Sequence, residues 1–141
     1  MYSRNRPAGR EGGIVRIRLP EVRKGVTHKA NIGGTIFFLT VNCFPDGTPG
    51  EVFCKTASGG DEFGLQGWTD TVCRFVSLAL QSDDYGVKGA CAHLIGADFK
   101  PSGPTGEPRI GIAKSFPDYL ARFILAMVED NENEKGQHHA E

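Results

Sequence analysis

Thr35-Ile36-Phe37-Phe38-Leu39-Thr40-Val41-Asn42-Cys43 decides the fold class. Read with a period of two, Phe37, Leu39, Val41 and Cys43 fall on one face, and Ile36, Phe38, Thr40 and Asn42 on the other, as a strand with one buried face requires. Pro45-Asp46-Gly47 follows at once, a strong turn signal, and Glu51 to Thr56 reads as the return strand of an antiparallel hairpin. Upstream, Thr27 to Ile32 is a further strand closed by Gly33-Gly34, and Ile14 to Leu19 alternates as a half-buried strand ending at Pro20. The result is a meander of three or four strands.

Downstream the period changes. Leu65, Trp68, Val72, Val76 and Ala79 recur at helical spacing, predicting an amphipathic helix over 64–81 with Trp68 packed in the core, as Phe38 is also expected to be. A shorter helix is expected over 87–94, with His93 packed upon it. The stretch Phe99 to Gly106 is rich in proline and glycine and too specific for a linker. The last helix is the best marked: Ser115 suits the N-cap, Pro117 the first turn, and Asp118 the positive end of the helix dipole. Tyr119, Leu120, Phe123, Ile124 and Met127 make its apolar stripe. Strands first and helices afterwards imply an α+β fold, an antiparallel sheet of three to five strands with two or three helices packed on one face.

With 141 residues, the chain has the size of one domain, and 39% hydrophobic residues are enough for one core. Sixteen basic residues against seventeen acidic ones exclude a protein whose work is strong nucleic-acid binding. No apolar run approaches the ~20 residues that span a bilayer, and residues 1–10 are too polar for a signal peptide, so a cytoplasmic protein is expected. The charge is unevenly spread. Arg4, Arg6, Arg10, Arg16, Arg18, Arg23, Lys24 and Lys29 crowd the first 29 residues, and Glu129, Asp130, Glu132, Glu134 and Glu141 the last 13. Residues 1–12 are expected to be a flexible basic arm, 13–128 the single domain, and 129–141 a disordered acidic tail.

Cys43, Cys54, Cys73 and Cys91 contain no C-x-x-C pair, and three lie in apolar stretches, so small buried thiols are expected in place of a metal site. Three polar groups stand out as ligand candidates. Lys55, Thr56, Ser58, Gly59 and Gly60 leave a strand and lead toward a helix start, where backbone N–H groups and a lysine favour a phosphate. Arg23, Thr27, His28 and Lys29 cluster on or beside a strand. Ser102, Gly103, Thr105 and Arg109 belong to the stiff proline-glycine loop. No nucleophile, base and orienting group can be placed together, so no catalytic residue is expected.

Several blocks carry a resemblance: Thr27-His28-Lys29 with Ile32-Gly33-Gly34, Leu39 to Asn42, Asp46 to Phe53, Val76 to Gln81, Phe99 to Gly103, Thr105 to Pro108, Ala113 to Ser115, and Asp118-Tyr119. In that order, over about residues 17–126, the chain resembles the TSCPD domain found at the C-terminal end of adenosylcobalamin-dependent (class II) ribonucleotide reductases. It departs in lacking the Thr-Ser-Cys-Pro-Asp string itself, in residues Ser82 to Asp84, and in carrying Asp98 where an arginine is common. In such reductases the cobalamin site and active-site cysteines lie in a large barrel domain. The resemblance therefore implies a non-catalytic accessory module, binding no cofactor itself, that acts with a separate catalytic subunit holding adenosylcobalamin in deoxyribonucleotide synthesis. A second reading is a stand-alone, phage-encoded protein that sequesters a nucleotide or nucleotide-derived signal, and a third is a self-assembling structural protein. A homo-oligomer without membrane attachment is expected.

Overall fold

The computed structural model describes residues 16–57, 64–82 and 86–140, with side chains to 137. β1 (Lys24–Ile32), β2 (Thr35–Cys43) and β3 (Pro49–Thr56) form an antiparallel sheet in the order β1-β2-β3. Gly33 and Gly34, both at positive φ, join the first two strands in a tight turn. The second turn is closed by Gly47 N–H donating to the Phe44 carbonyl (2.8 Å) and by Asp46 Oδ1 accepting from Thr48 N–H (2.9 Å). Across the sheet Val26, Val41 and Val52 stand in one row, His28, Leu39 and Cys54 in the next, and Ala30, Phe37 and Thr56 in a third. The alternation in β2 is realised as expected: Phe37, Leu39 and Val41 are wholly buried.

α1 (Leu65–Leu80), α2 (Gly86–Ala92) and α3 (Phe116–Ala140) cover that face. Ser115 caps α3, its Oγ accepting from Asp118 N–H at 3.1 Å, and Phe116 stacks on Phe37 with ring centroids 5.0 Å apart. α1 also seals the free edge of β3. Gln66 donates from Nε2 to the Cys54 carbonyl (2.9 Å) and accepts at Oε1 from Thr56 N–H (2.8 Å). Further along, Ser77 Oγ accepts from Val52 N–H (2.9 Å), and Gln81 Nε2 donates to the Gly50 carbonyl (2.9 Å). A bare strand edge is a template for unwanted pairing, and here helix side chains occupy it. The opposite face of the sheet, with Thr27, Lys29, Phe38 and Phe53, has no helix over it among the described residues.

Three expectations are corrected, and one small ladder is added. The segment before Pro20 is no strand over its described part: Arg16 makes a single bridge to Ser82, and Ile17 N–H donates to the Gln81 carbonyl (2.8 Å). The open carbonyls at the end of α1 receive it, so it never reaches the sheet. A second, two-stranded ladder, β4 (Gly103–Pro104) with β5 (Ile112–Ala113), stiffens the proline-glycine loop. The acidic stretch from 129 is helical, α3 running on to Ala140, because Arg109 pairs with Glu129 (3.1 Å) and Asp130 (2.9 Å) and Asn131 Nδ2 donates to the Asp46 carbonyl (3.3 Å). Finally, the buried stripe of α1 is Thr69, Cys73, Val76 and Leu80. Thr69 hydrogen-bonds its own helix, to Leu65 and Gln66 carbonyls, and so packs like a small apolar residue. Trp68 is consequently 65% exposed, Phe38 39%, and His93 is exposed too.

Candidate functional site

The ligand candidates read from the sequence that fall among the described residues are dispersed over the molecule. Arg23 is tied to Glu51 (2.5 Å) and to the Pro20 carbonyl. Thr56 is buried, with its N–H and hydroxyl both bonded to Gln66 Oε1. Ser58, Gly59 and Gly60 lie outside the described residues. Lys29 and Lys55 flank Phe38 in one cross-strand row on the open sheet face, where the Thr27 and Thr40 hydroxyls meet at 3.2 Å. Thr105 closes a turn, its hydroxyl donating to the Gly111 carbonyl (2.6 Å).

Thr27, His28 and Arg109 do come together, at a cleft of about 300 Å³ between β1 and α3. His28 stacks on Phe123 (centroids 4.8 Å apart) and its Nε2 lies 2.6 Å from the Tyr119 hydroxyl. Burial, reinforced by Glu107, pushes that phenol up to about 12, so Tyr119 stays neutral in ordinary solution. Arg109 is spent on Glu129 and Asp130. The cleft is therefore a satisfied polar joint between sheet and helix more than a reactive centre.

Ser102 belongs to a larger cavity of about 780 Å³, which the β1–β2 turn, the first turn of α1 and the loop 99–102 enclose. Two glycines make this possible. A Cβ on Gly33, which sits at φ +57, would run into the Ser102 carbonyl, and one on Gly103 would stand 2.8 Å from Gly33 Cα. Gly33 N–H donates to the Pro104 carbonyl (3.0 Å) and Phe99 N–H to the Lys114 carbonyl (3.1 Å), fixing the loop against the turn. Trp68 and Phe99, the latter 48% exposed, line the cavity with Lys100 and Thr35. Sequence reading weighs Trp68 as a ring that could stack on a base but prefers the core, which assigns it to the wrong side of its helix. The signal was present in the alternative spacing 69, 73, 76, 80.

Burial disfavours the thiolate at all four cysteines. Burial pushes Cys54 up to about 12 and Cys91 to about 11, and raises Cys73 further and Cys43 as well. Cys54, Cys73 and Cys91 are buried and Cys43 is half-buried, none of the four is in a disulfide, and no group of three metal-ligating side chains exists among the described residues. No helix among them is long and apolar enough to cross a membrane.

Comparison with known proteins gives these sites a family. The family model for the TSCPD domain matches residues 10–128. The vitamin B12-dependent ribonucleotide reductase of Rhodopirellula baltica is 39% identical over 111 residues, 77% of this chain and 10% of that protein. The enzyme of the same name from Streptomyces avermitilis is 36% identical over 112 residues (78% and 11%), and that of Bradyrhizobium diazoefficiens 33% over 132 (84% and 10%). The chain thus spans about a tenth of the length of these relatives. No solved structure matches it. The interlocked Gly33 and Gly103, the His28–Tyr119 bond and the capped start of α3 all fall within the matched span, and the chain belongs to the TSCPD domain family.

Proposed function

We propose that the chain is a non-catalytic module of a ribonucleotide reductase system, working with a catalytic subunit that holds adenosylcobalamin and performs the reduction. The observation that carries this reading is the pattern of the match, which takes in most of this chain and about a tenth of each reductase. The chemistry of the chain agrees with it. Thiol redox work needs an accessible thiolate, and Cys54, Cys73 and Cys91 are covered, with burial raising each thiol above its ordinary value. The cavity of about 780 Å³ beside Trp68 suits a small ligand and not a corrinoid bearing an adenosyl group.

The open sheet face is the docking surface on this reading. Phe53 is 55% exposed beside Phe38, and Lys29 and Lys55 have no carboxylate partner among the described residues. Glu51 on the same face is paired with Arg23 and accepts a hydrogen bond from Asn42 Nδ2. An apolar centre with cationic flanks fits a reductase surface that is apolar and rimmed by carboxylates. The test is size-exclusion with light scattering on this chain mixed with the R. baltica reductase from which the matching stretch has been removed. A complex is expected, and Phe38→Glu with Phe53→Glu abolishes it. Failure to form any complex, or a complex indifferent to both changes, overturns the proposal.

A further inference from the structure

We propose that the cavity lined by Trp68 and Phe99 is a binding site for a nucleoside phosphate, the base lying on the aromatic surfaces and the phosphate on Lys100 and Ser102. The aromatic half of the argument is exposure without a partner. Trp68 is 65% and Phe99 48% exposed, and neither ring stacks on another among the described residues. Two large flat apolar surfaces left open within one concavity are a platform for a flat heterocycle. The polar half is charge. The Lys100, Ser102 and Thr35 side chains have no hydrogen-bond or ion-pair partner among the described residues, and no carboxylate among those residues lines the cavity. A purely apolar ligand would leave an ammonium and two hydroxyls idle, and inorganic phosphate would leave the aromatic walls uncovered. A molecule with a base at one end and an anion at the other uses both.

The site is also preformed. Gly33 and Gly103 allow the loop to sit directly against the β1–β2 turn, and hydrogen bonds to Pro104 and Lys114 carbonyls hold it there, so little ordering is required on binding. Its volume of about 780 Å³ accommodates a mononucleotide. The proposal concerns the isolated chain and stands or falls independently of any reductase partner.

Trp68 is the only tryptophan of the chain, so its emission reports the cavity directly. The full chain is titrated with ATP, dATP and GTP, with adenosine and pyrophosphate as the two halves, and the emission is corrected for absorbance. Saturable quenching by at least one nucleotide is expected, with each half binding about tenfold more weakly or worse. Lys100→Ala is expected to weaken the nucleotide about tenfold, and Trp68→Ala, followed by calorimetry, by a similar factor. Both side chains are exposed, so the variants should keep the parent's circular dichroism and melting temperature. No saturable response up to about 1 mM, the upper range of ordinary metabolite affinities, overturns the proposal. So does adenosine binding as tightly as ATP, or binding that both substitutions leave unchanged.

Discussion

Three sets of donors converge on the carboxylate of Asp118: Gly96 N–H at 2.9 Å, Lys114 N–H at 3.0 Å and the Arg122 guanidinium at 3.3 Å. Burial alone would raise this carboxyl, but the two backbone donors and Arg122 outweigh it and hold it below the usual range. The sign of the linkage follows. A carboxyl whose folded value is lowered contributes stability at pH values above its unfolded value, near 3.8, and loses it as pH falls through the folded value. Asp118→Asn is therefore expected to cost about 2–3 kcal/mol at pH 7, mostly from the charged hydrogen bonds. Urea denaturation at several pH values should show the gap between wild type and variant narrowing below pH 4 or so. A gap that is constant with pH would contradict this account of the carboxylate. At this scale the sequence was legible where the chemistry is local. Ser115 and Asp118 announce a helix start because the cap acts within one turn. That Asp118 also ties down the end of the loop at Gly96 depends on a contact 22 residues away, and no local pattern carries it.

The element scale turns on how β3 keeps its edge. Gln66 imitates a neighbouring strand, giving to Cys54 and accepting from Thr56, and Asp70 steadies it at 2.8 Å from Nε2. Gln66→Ala would strip both backbone groups of their partner, at a cost of about 1–3 kcal/mol. Amide exchange at Thr56 should accelerate, while exchange at Val52, held by Ser77, stays slow. Equal acceleration at both would mean that α1 seals the edge as a unit and not through individual side chains. The strands themselves were readable from alternation because one face is dry. The stretch before Pro20 alternates as well, yet it ends on α1, since periodicity describes a face and not the neighbour that covers it. The helical acidic stretch was unreadable for the same reason: its anchors, Arg109 and the Asp46 carbonyl, lie far upstream.

For the whole molecule, the α+β class follows from a change of period, from two before Ala57 to helical after it. The candidate site does not follow in that way. Residues 33–35, 65–68 and 99–102 meet only in the folded chain, and the exposed position of Trp68 required knowing that Thr69 hides its hydroxyl. The sheet offers one face to the helices and leaves the other, with Phe38 and Phe53, uncovered among the described residues, and on the proposed reading that face takes another subunit. The most direct test of that claim is ribonucleotide reduction by the R. baltica enzyme in three forms: intact, without the stretch matched by this chain, and with this chain substituted for it. The account predicts that deletion lowers turnover and that the substituted chain restores it, provided Phe38 and Phe53 are present. Full activity after deletion, or a folded substitution no better than the deletion, would contradict it.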